Sequence, residues 1–254
     1  MSKFKTALVL PDVHVPYHDQ DALNLVLKVA KDIKPTNIVQ VGDFVDFYAI
    51  SHYKKDPDRS TGKALQYELD CARDVLAQLT AIAPTTIIQG NHELRLTKYL
   101  QEKAPGLCGL RELTVPKLLG IDNKTSFYKS KGGVFLGKLL VLHGNEISDR
   151  GVAFSSGTCK KGVEKLNMSV MHGHIHRLGS YYVTSKGQGT QSGYEIGCLC
   201  QKDVEYMDFS NWQTGFAVVT YRNDGDKAFN VELVEIQDAG KNRRCFVRGK
   251  EYTC

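Results

Sequence analysis

Five stretches of the chain place metal-ligating or proton-moving side chains directly after a short apolar run. They are Pro11-Asp12-Val13-His14, Gly42-Asp43-Phe44-Val45-Asp46, Gly90-Asn91-His92-Glu93, His143-Gly144 and His172-Gly173-His174-Ile175-His176. Polar side chains at the carboxyl end of a strand in an α/β sheet face the crevice where ligands bind. Asn91 offers a neutral carbonyl oxygen to a hard cation, and His92 can carry a proton near neutral pH. Asp12, His14, Asp43, Asn91, His143, His174 and His176 together make a carboxylate, imidazole and amide set with no thiolate. Such a mixture suits Mn, Fe, Co, Ni or Zn rather than a Cys-rich structural zinc site. It is too large for one ion and sufficient for two sharing a carboxylate. Two ions ~3.5–4 Å apart suit in-line displacement at phosphorus, with a bridging water deprotonated to hydroxide. Any one of these motifs alone is more often a turn; their order and repetition carry the reading.

The elements that must position these groups are legible from hydropathy. Thr6–Leu10 is an apolar strand, and a helix starts at Asp19-Gln20-Asp21 and keeps helical period up to Lys34-Pro35. Asn37–Val41 is the second strand, 54–63 a polar loop, Ala64–Ile82 a second helix and Thr85–Gln89 the third strand. This alternation predicts a parallel sheet with right-handed crossovers. A helix follows from Leu94 to about Lys103, then an irregular stretch to Gly120. Short strands are expected at Thr125–Tyr128, Gly133–Leu136, Lys138–Leu142 and Met168–Met171, with 145–165 partly helical. Tyr181–Thr184, Tyr194–Cys198, Phe216–Tyr221, Val231–Ile236 and Arg244–Val247 read as antiparallel strands. No repeat, low-complexity run or linker divides the chain, so one domain over 1–254 is expected.

With 254 residues, 42% hydrophobic and 24% charged, the chain can build a sizeable core. The net charge of +5 permits an anionic substrate without requiring one. Seven scattered Cys, an odd number, fit a reducing cytoplasm better than a disulfide framework. No apolar run approaches the ~18 residues of a membrane span, and the first strand is too short for a signal segment. A cytoplasmic protein with no membrane association and no obligatory protein partner is the expectation.

As an ordered set, Asp12-x-His14, Gly42-Asp43-x-x-Asp46, Gly90-Asn91-His92-Glu93, His143-Gly144 and Gly173-His174-x-His176 resemble the five blocks of the calcineurin-like metallophosphoesterases. The blocks span two thirds of the chain. The resemblance implies an α/β sandwich of two mixed β-sheets flanked by helices, with a dinuclear site on the loops at one edge. It further implies that Asp12, His14, Asp43 and His176 hold one metal, that Asp43 bridges, and that Asn91, His143 and His174 hold the other. Under it, His92 is no ligand but the general acid beside the scissile bond, oriented by Asp46. Two divalent transition-metal ions are expected, with Mn first and Fe, Ni, Co or Zn as alternatives. Gly197-Cys198-Leu199-Cys200 and Asn211–Phe216 also resemble the phage-encoded branch of the family.

One departure bears on substrate. In the Ser/Thr protein phosphatases of this family, an Arg follows the second Asp and another precedes the Gly-Asn-His-Glu block, both clamping phosphate. Phe47 and Gln89 stand there in this chain. Arg clamps bind phosphate bidentately, so their loss weighs against a phosphoprotein phosphatase. Arg95 is a substitute clamp or else a solvated helix residue. Tyr17, His18 and His52 flank the ligand loops as substrate contacts, and Tyr17, Phe47 and Tyr48 offer stacking faces. The basic groups of 54–63 and 241–250 could steer a polyanion. The reading is a dinuclear phosphoesterase acting on nucleotide or nucleic-acid phosphates. Its rivals are a Ser/Thr phosphoprotein phosphatase and a non-catalytic scaffold with the same fold.

Overall fold

The computed structural model describes residues 4–52, 62–129, 133–147, 157–202, 211–240 and 242–254. The first strand, β1 (Lys5–Leu10), shows how the layers arise. Its alternate side chains enter two different cores: Leu8 and Leu10 pack with the helices α1 (Gln20–Ile33) and α2 (Gly62–Thr80), whereas Ala7 and Val9 face a second sheet. The next two strands, β2 (Asn37–Gln40) and β3 (Thr85–Ile88), divide in the same way. Ile38 and Ile87 point to the helices, Val39 and Ile88 to the sheet interface. Both faces are thus covered, which is why Ala7–Leu10, Ile38–Val39 and Ile87–Ile88 are apolar at consecutive rather than alternate positions.

The first sheet has six strands in the order β11-β10-β1-β2-β3-β4, completed by β4 (Thr125–Tyr128), β10 (Gly215–Tyr221) and β11 (Phe229–Glu235). β1 to β4 are parallel, and β10 and β11 add an antiparallel edge. The second sheet has five strands in the order β5-β6-β7-β9-β8: β5 (Val134–Leu136), β6 (Leu139–Leu142), β7 (Val170–His172), β8 (Leu178–Ser185) and β9 (Gly189–Ile196). Its inner face packs Leu136, Val141, Met171, Tyr194 and Ile196 against the first sheet. Its outer face is covered by α5 (Thr158–Leu166) through Val163 on Leu142 and Val170. The fold is therefore mixed α/β, with mixed sheets flanked by helices, as expected. Helix α1 begins where Asp19 accepts the Ala22 N–H at 3.0 Å and stops where Lys34 turns left-handed before Pro35.

Four expectations are corrected. A third, antiparallel sheet of β12 (Gln237–Ala239), β13 (Asn242–Val247) and β14 (Lys250–Thr253) adds to the two foreseen and packs on α1. Its outer strands are too short and polar to show an apolar period. β8 and β9 are eight residues each, longer than predicted, because the polar Gly189–Ser192 half of β9 carries no hydropathy signal. β9 is also parallel to β7, not purely antiparallel. The stretch between Lys103 and Gly120, read as irregular, contains a turn of helix, α4 (Val115–Leu118), started by its Pro. The polar segment 54–61, Lys241 and residues 148–156 lie outside the described residues. Among those described, no helix is long and apolar enough to cross a membrane.

Candidate metal centre

The parallel strands bring their carboxyl ends to one rim where the two sheets meet. Asp12 and His14 follow β1, Asp43 and Asp46 follow β2, and Asn91 and His92 follow β3; from the other sheet, His143 follows β6 and His174 and His176 follow β7. The turns are tight. His14, Asp43, His174 and His176 all adopt positive φ, between 51° and 67°. Non-glycine residues rarely do so, and such conformations gather at functional sites because they aim a side chain that regular backbone cannot. Gly90 and Gly173 are required for close approach: a Cβ on either would stand 2.2 Å from Asp43 Oδ1 and 2.1 Å from Asp12 Oδ2 respectively.

Asp43 lies at the centre. Its donor oxygen lies within 4.8 Å of ring nitrogens of His14 and His92 on one side, and of His143 and His174 on the other. The His92 backbone N–H donates to Asp43 Oδ1 at 2.8 Å, while Oδ2 is 3.4 Å from His143 Nε2 and 3.9 Å from His14 Nε2. Burial alone would raise Asp43, but the charges of His143 and His92 hold it well below the usual carboxylate range. Asp12 is held at about 2 in the same way: His176 outweighs complete burial through a hydrogen bond and its charge.

The imidazoles are presented as ligands. His143 Nδ1 donates to the Val41 carbonyl at 3.1 Å, which turns Nε2 toward Asn91 Oδ1 at 2.9 Å and the Asp43 carboxylate. A bare lone pair facing two oxygens is repulsive, so a proton or a cation must sit between them. Burial would keep His143 neutral, yet Asp43 pushes its pKa up to about 10. His14 Nδ1 pairs with Asp46 Oδ1 at 2.9 Å, so its Nε2 is the free donor, 3.3 Å from His176 Nε2. The His174 main-chain N–H is held by both Asp12 oxygens (3.0 and 2.9 Å), but its Nδ1 is buried with no hydrogen-bond partner. Burial, aided by His143, drops His174 to about 3, so it stays a neutral donor. Converging lone pairs, an orphaned buried ring nitrogen and a shared carboxylate fit a pair of divalent cations.

His92 shares one of these clusters with His14 and Asp43 and is bound as well to Asp46. Its Nδ1 is 2.9 Å from both the carboxylate and the main-chain carbonyl of Asp46. Asp46 serves His14 and His92 at once; burial would raise it, but the two imidazoles hold it far below its ordinary value. The remaining His92 nitrogen, Nε2, accepts from the Arg95 guanidinium at 3.0 Å, and Arg95 also donates to the Asp46 carbonyl at 2.8 Å. Arg95, on the first turn of α3 (Glu93–Lys103), is therefore packed on the site and is not a solvated helix residue. Phe47 is wholly buried and is no stacking face, and Gln89 is buried as well. Tyr17 meets Tyr48 edge-on at 5.9 Å, and His18 Nε2 bonds Gln20 at 3.0 Å; both side chains are half-buried, with neighbours of their own.

Four supporting residues were given no role from the sequence. Glu93, fully buried, accepts four main-chain N–H bonds, from Asp43 (3.0 Å), Phe44 (2.8 Å), Val45 (3.0 Å) and Gly90 (2.8 Å). It ties the second and third loops together. Gln40 clasps Gly42 through both amide atoms, at 2.7 and 2.9 Å. A buried Gln ending an apolar strand was the available signal. Cys200 Sγ lies 3.8 Å from His176 Nδ1, and the Trp212 ring meets His176 edge-on; nothing in the spacing of either announced this.

Residues 5–178 match the family described as calcineurin-like phosphoesterase. The Gene 54 protein of Mycobacterium phage L5 is 28% identical over 231 residues, 85% of this chain and 89% of that protein. The Gene 54 protein of Mycobacterium phage D29 is also 28% identical, over 91% of this chain and 94% of that one. Among solved structures, Vacuolar Protein Sorting 29 from Cryptosporidium parvum superposes with a TM-score of 0.48 at 12% identity, covering 100% of this chain and 97% of that chain.

Proposed function

From the premise that the chain belongs to the calcineurin-like phosphoesterase family, we propose that it hydrolyses nucleotide or nucleic-acid phosphoesters with two divalent cations, Mn2+ first among them. The observation that carries this reading is the convergence on Asp43 of donors from both sheets, with His174 Nδ1 buried and partnerless. Asp12, His14, Asp43 and His176 would hold one cation, and Asp43, Asn91, His143 and His174 the other. Such a pair neutralises phosphoryl oxygens and acidifies water for in-line attack. Every donor expected from the sequence is present at the rim, which disfavours a non-catalytic scaffold.

The chain's own groups divide the remaining work. Asp46 accepts a hydrogen bond from His92 Nδ1–H and so fixes the tautomer and the ring plane. Nε2 is then the atom that would hand a proton to the leaving oxygen. At rest, Arg95 occupies that nitrogen. A phosphoryl group is a stronger acceptor for a guanidinium than an imidazole is. Substrate would draw Arg95 off Nε2, so that one residue both clamps the phosphate and frees Nε2 to take up from water the proton it then gives to the leaving oxygen. With Phe47 and Gln89 buried in place of two further clamps, binding energy must come from other parts of the substrate. That favours nucleotide-bearing esters over phosphoserine or phosphothreonine peptides.

The test is a comparison of kcat/KM for a deoxynucleotide panel, an oligonucleotide, a chromogenic diester and a phosphopeptide. Chelation is expected to abolish turnover and Mn2+ to restore it. Full turnover in excess chelator, from protein shown to be metal-free, would defeat the dinuclear reading. A phosphopeptide at the head of the ranking would turn it to the phosphoprotein phosphatase.

A further inference from the structure

Arg95 has a second neighbourhood. Its side chain also lines a cavity of about 370 Å³ between the 3₁₀ turn at Tyr48–Ile50 and the exposed flank of α3. The volume falls in the range of small-ligand sites, roughly 300–1,000 Å³. The helix contributes Lys98, Tyr99, Glu102 and Lys103 to its wall, and His52 closes the other side. Residues three and four apart on a helix share a face, so positions 95, 98, 99, 102 and 103 form one stripe by construction. The stripe holds three cations, one carboxylate and one aromatic ring that is 39% exposed.

We propose that this groove binds one nucleotide flanking the scissile phosphate of a single-stranded nucleic acid. The inference rests on the phosphoesterase reading and narrows its substrate to a chain. Cations interleaved with an open aromatic face are what single-strand binding uses: the cations track phosphates and the ring stacks a base whatever its identity. Arg95 makes the groove continuous with the metal centre, because the same side chain that lines it bonds His92 Nε2 at 3.0 Å. A phosphate at the centre and its neighbour along a strand would therefore lie on either side of Arg95. Glu102 stands at the same wall and would repel a second phosphate placed beside it, so the flanking phosphate belongs with Lys98 and Lys103, and the base with Tyr99.

A binding measurement separates this inference from the catalytic reading. Anisotropy of a fluorescein-labelled single-stranded oligonucleotide is titrated with the full chain in chelator, at several salt concentrations. Tyr99→Ala is expected to weaken binding about tenfold, within the worth of one base–aromatic stack. Lys98→Gln/Lys103→Gln is expected to weaken it similarly and to flatten its dependence on salt. Lys31→Gln/Lys34→Gln removes the same two charges from a cavity of about 410 Å³ between α1 and α2, and is expected to change binding less than twofold. Equal losses in the two lysine pairs would reduce their effect to net charge and overturn the groove. So would unchanged binding in the first two, or tighter binding of a labelled phosphopeptide through the same residues. If the oligonucleotide binds through Tyr99 but wild type hydrolyses no ester with Mn2+, the groove stands and the catalytic reading falls.

Discussion

Glu93 can be removed by the smallest possible change, Glu93→Gln, and the cost can be worked from four distances. Each carboxylate oxygen accepts two main-chain N–H bonds: Oε1 from Phe44 and Val45, Oε2 from Asp43 and Gly90. An amide keeps one oxygen, so two donors keep their acceptor and two face an NH2 group instead. A buried donor left unsatisfied costs about 1–3 kcal/mol, so the substitution should cost about 2–6 kcal/mol. Against a total stability of about 5–15 kcal/mol that is a large fraction, and a clear drop in the urea midpoint is expected. Two of the four donors flank Asp43, whose backbone sits at φ 51°, so the strained turn loses part of what holds it. Affinity for Mn2+, measured by calorimetry on the folded variant, should fall about 10–100-fold, the usual effect of losing a group that orients a ligand. Glu93 is pushed up to about 7 by burial and by Asp43, while the N–H donors of Val45 and Gly90 oppose that rise. If the variant unfolds at the wild-type midpoint and binds Mn2+ equally well, the carboxylate is not the tie between the two loops.

Two further outcomes separate chemistry from scaffolding. His92→Asn should keep both cations and lose ~10²–10⁴ in rate, the worth of a general acid, whereas Asp43→Asn should lose metal; metal content and kcat of the two variants reversed would reverse the roles. Glu68 accepts N–H bonds from Tyr48 and Ala49 while burial and then Asp46 push it up from 4.5 to about 7. A raised carboxylate pKa favours the protonated fold, so wild-type stability should fall as pH rises from about 4.5 to about 7. Glu68→Gln should therefore gain on wild type between pH 5 and pH 8, by at most about 3 kcal/mol at 1.36 kcal/mol per pKa unit, in urea unfolding at the two pH values. A constant difference across that range would show that Glu68 is ionised throughout.

The amino-acid sequence by itself determined the site's composition and the strands that carry it. An apolar run ending in Asp-x-His, Gly-Asp or Gly-Asn-His-Glu is a local signal, readable from hydropathy and ligand chemistry alone. β1 to β4, β6, β7, α1, α2 and α3 were legible for the same reason: buried on one or both faces, they show their period in the residues. What depends on partners far along the chain was not legible. The polar half of β9 and the strands β12 and β14 hold by pairing, not by a local pattern, whereas the apolar parts of β8, β9 and β13 were read as strands. Phe47 looked like a surface aromatic until the helices closed over it, and Arg95 like a solvated residue until α3 set it against Asp46, 49 positions away in the chain. The four donors of Glu93 come from two loops that only parallel pairing of β2 and β3 brings together. Residue type sets which chemistry is available; which proton faces which lone pair is a long-range property, and only the tertiary structure decides it.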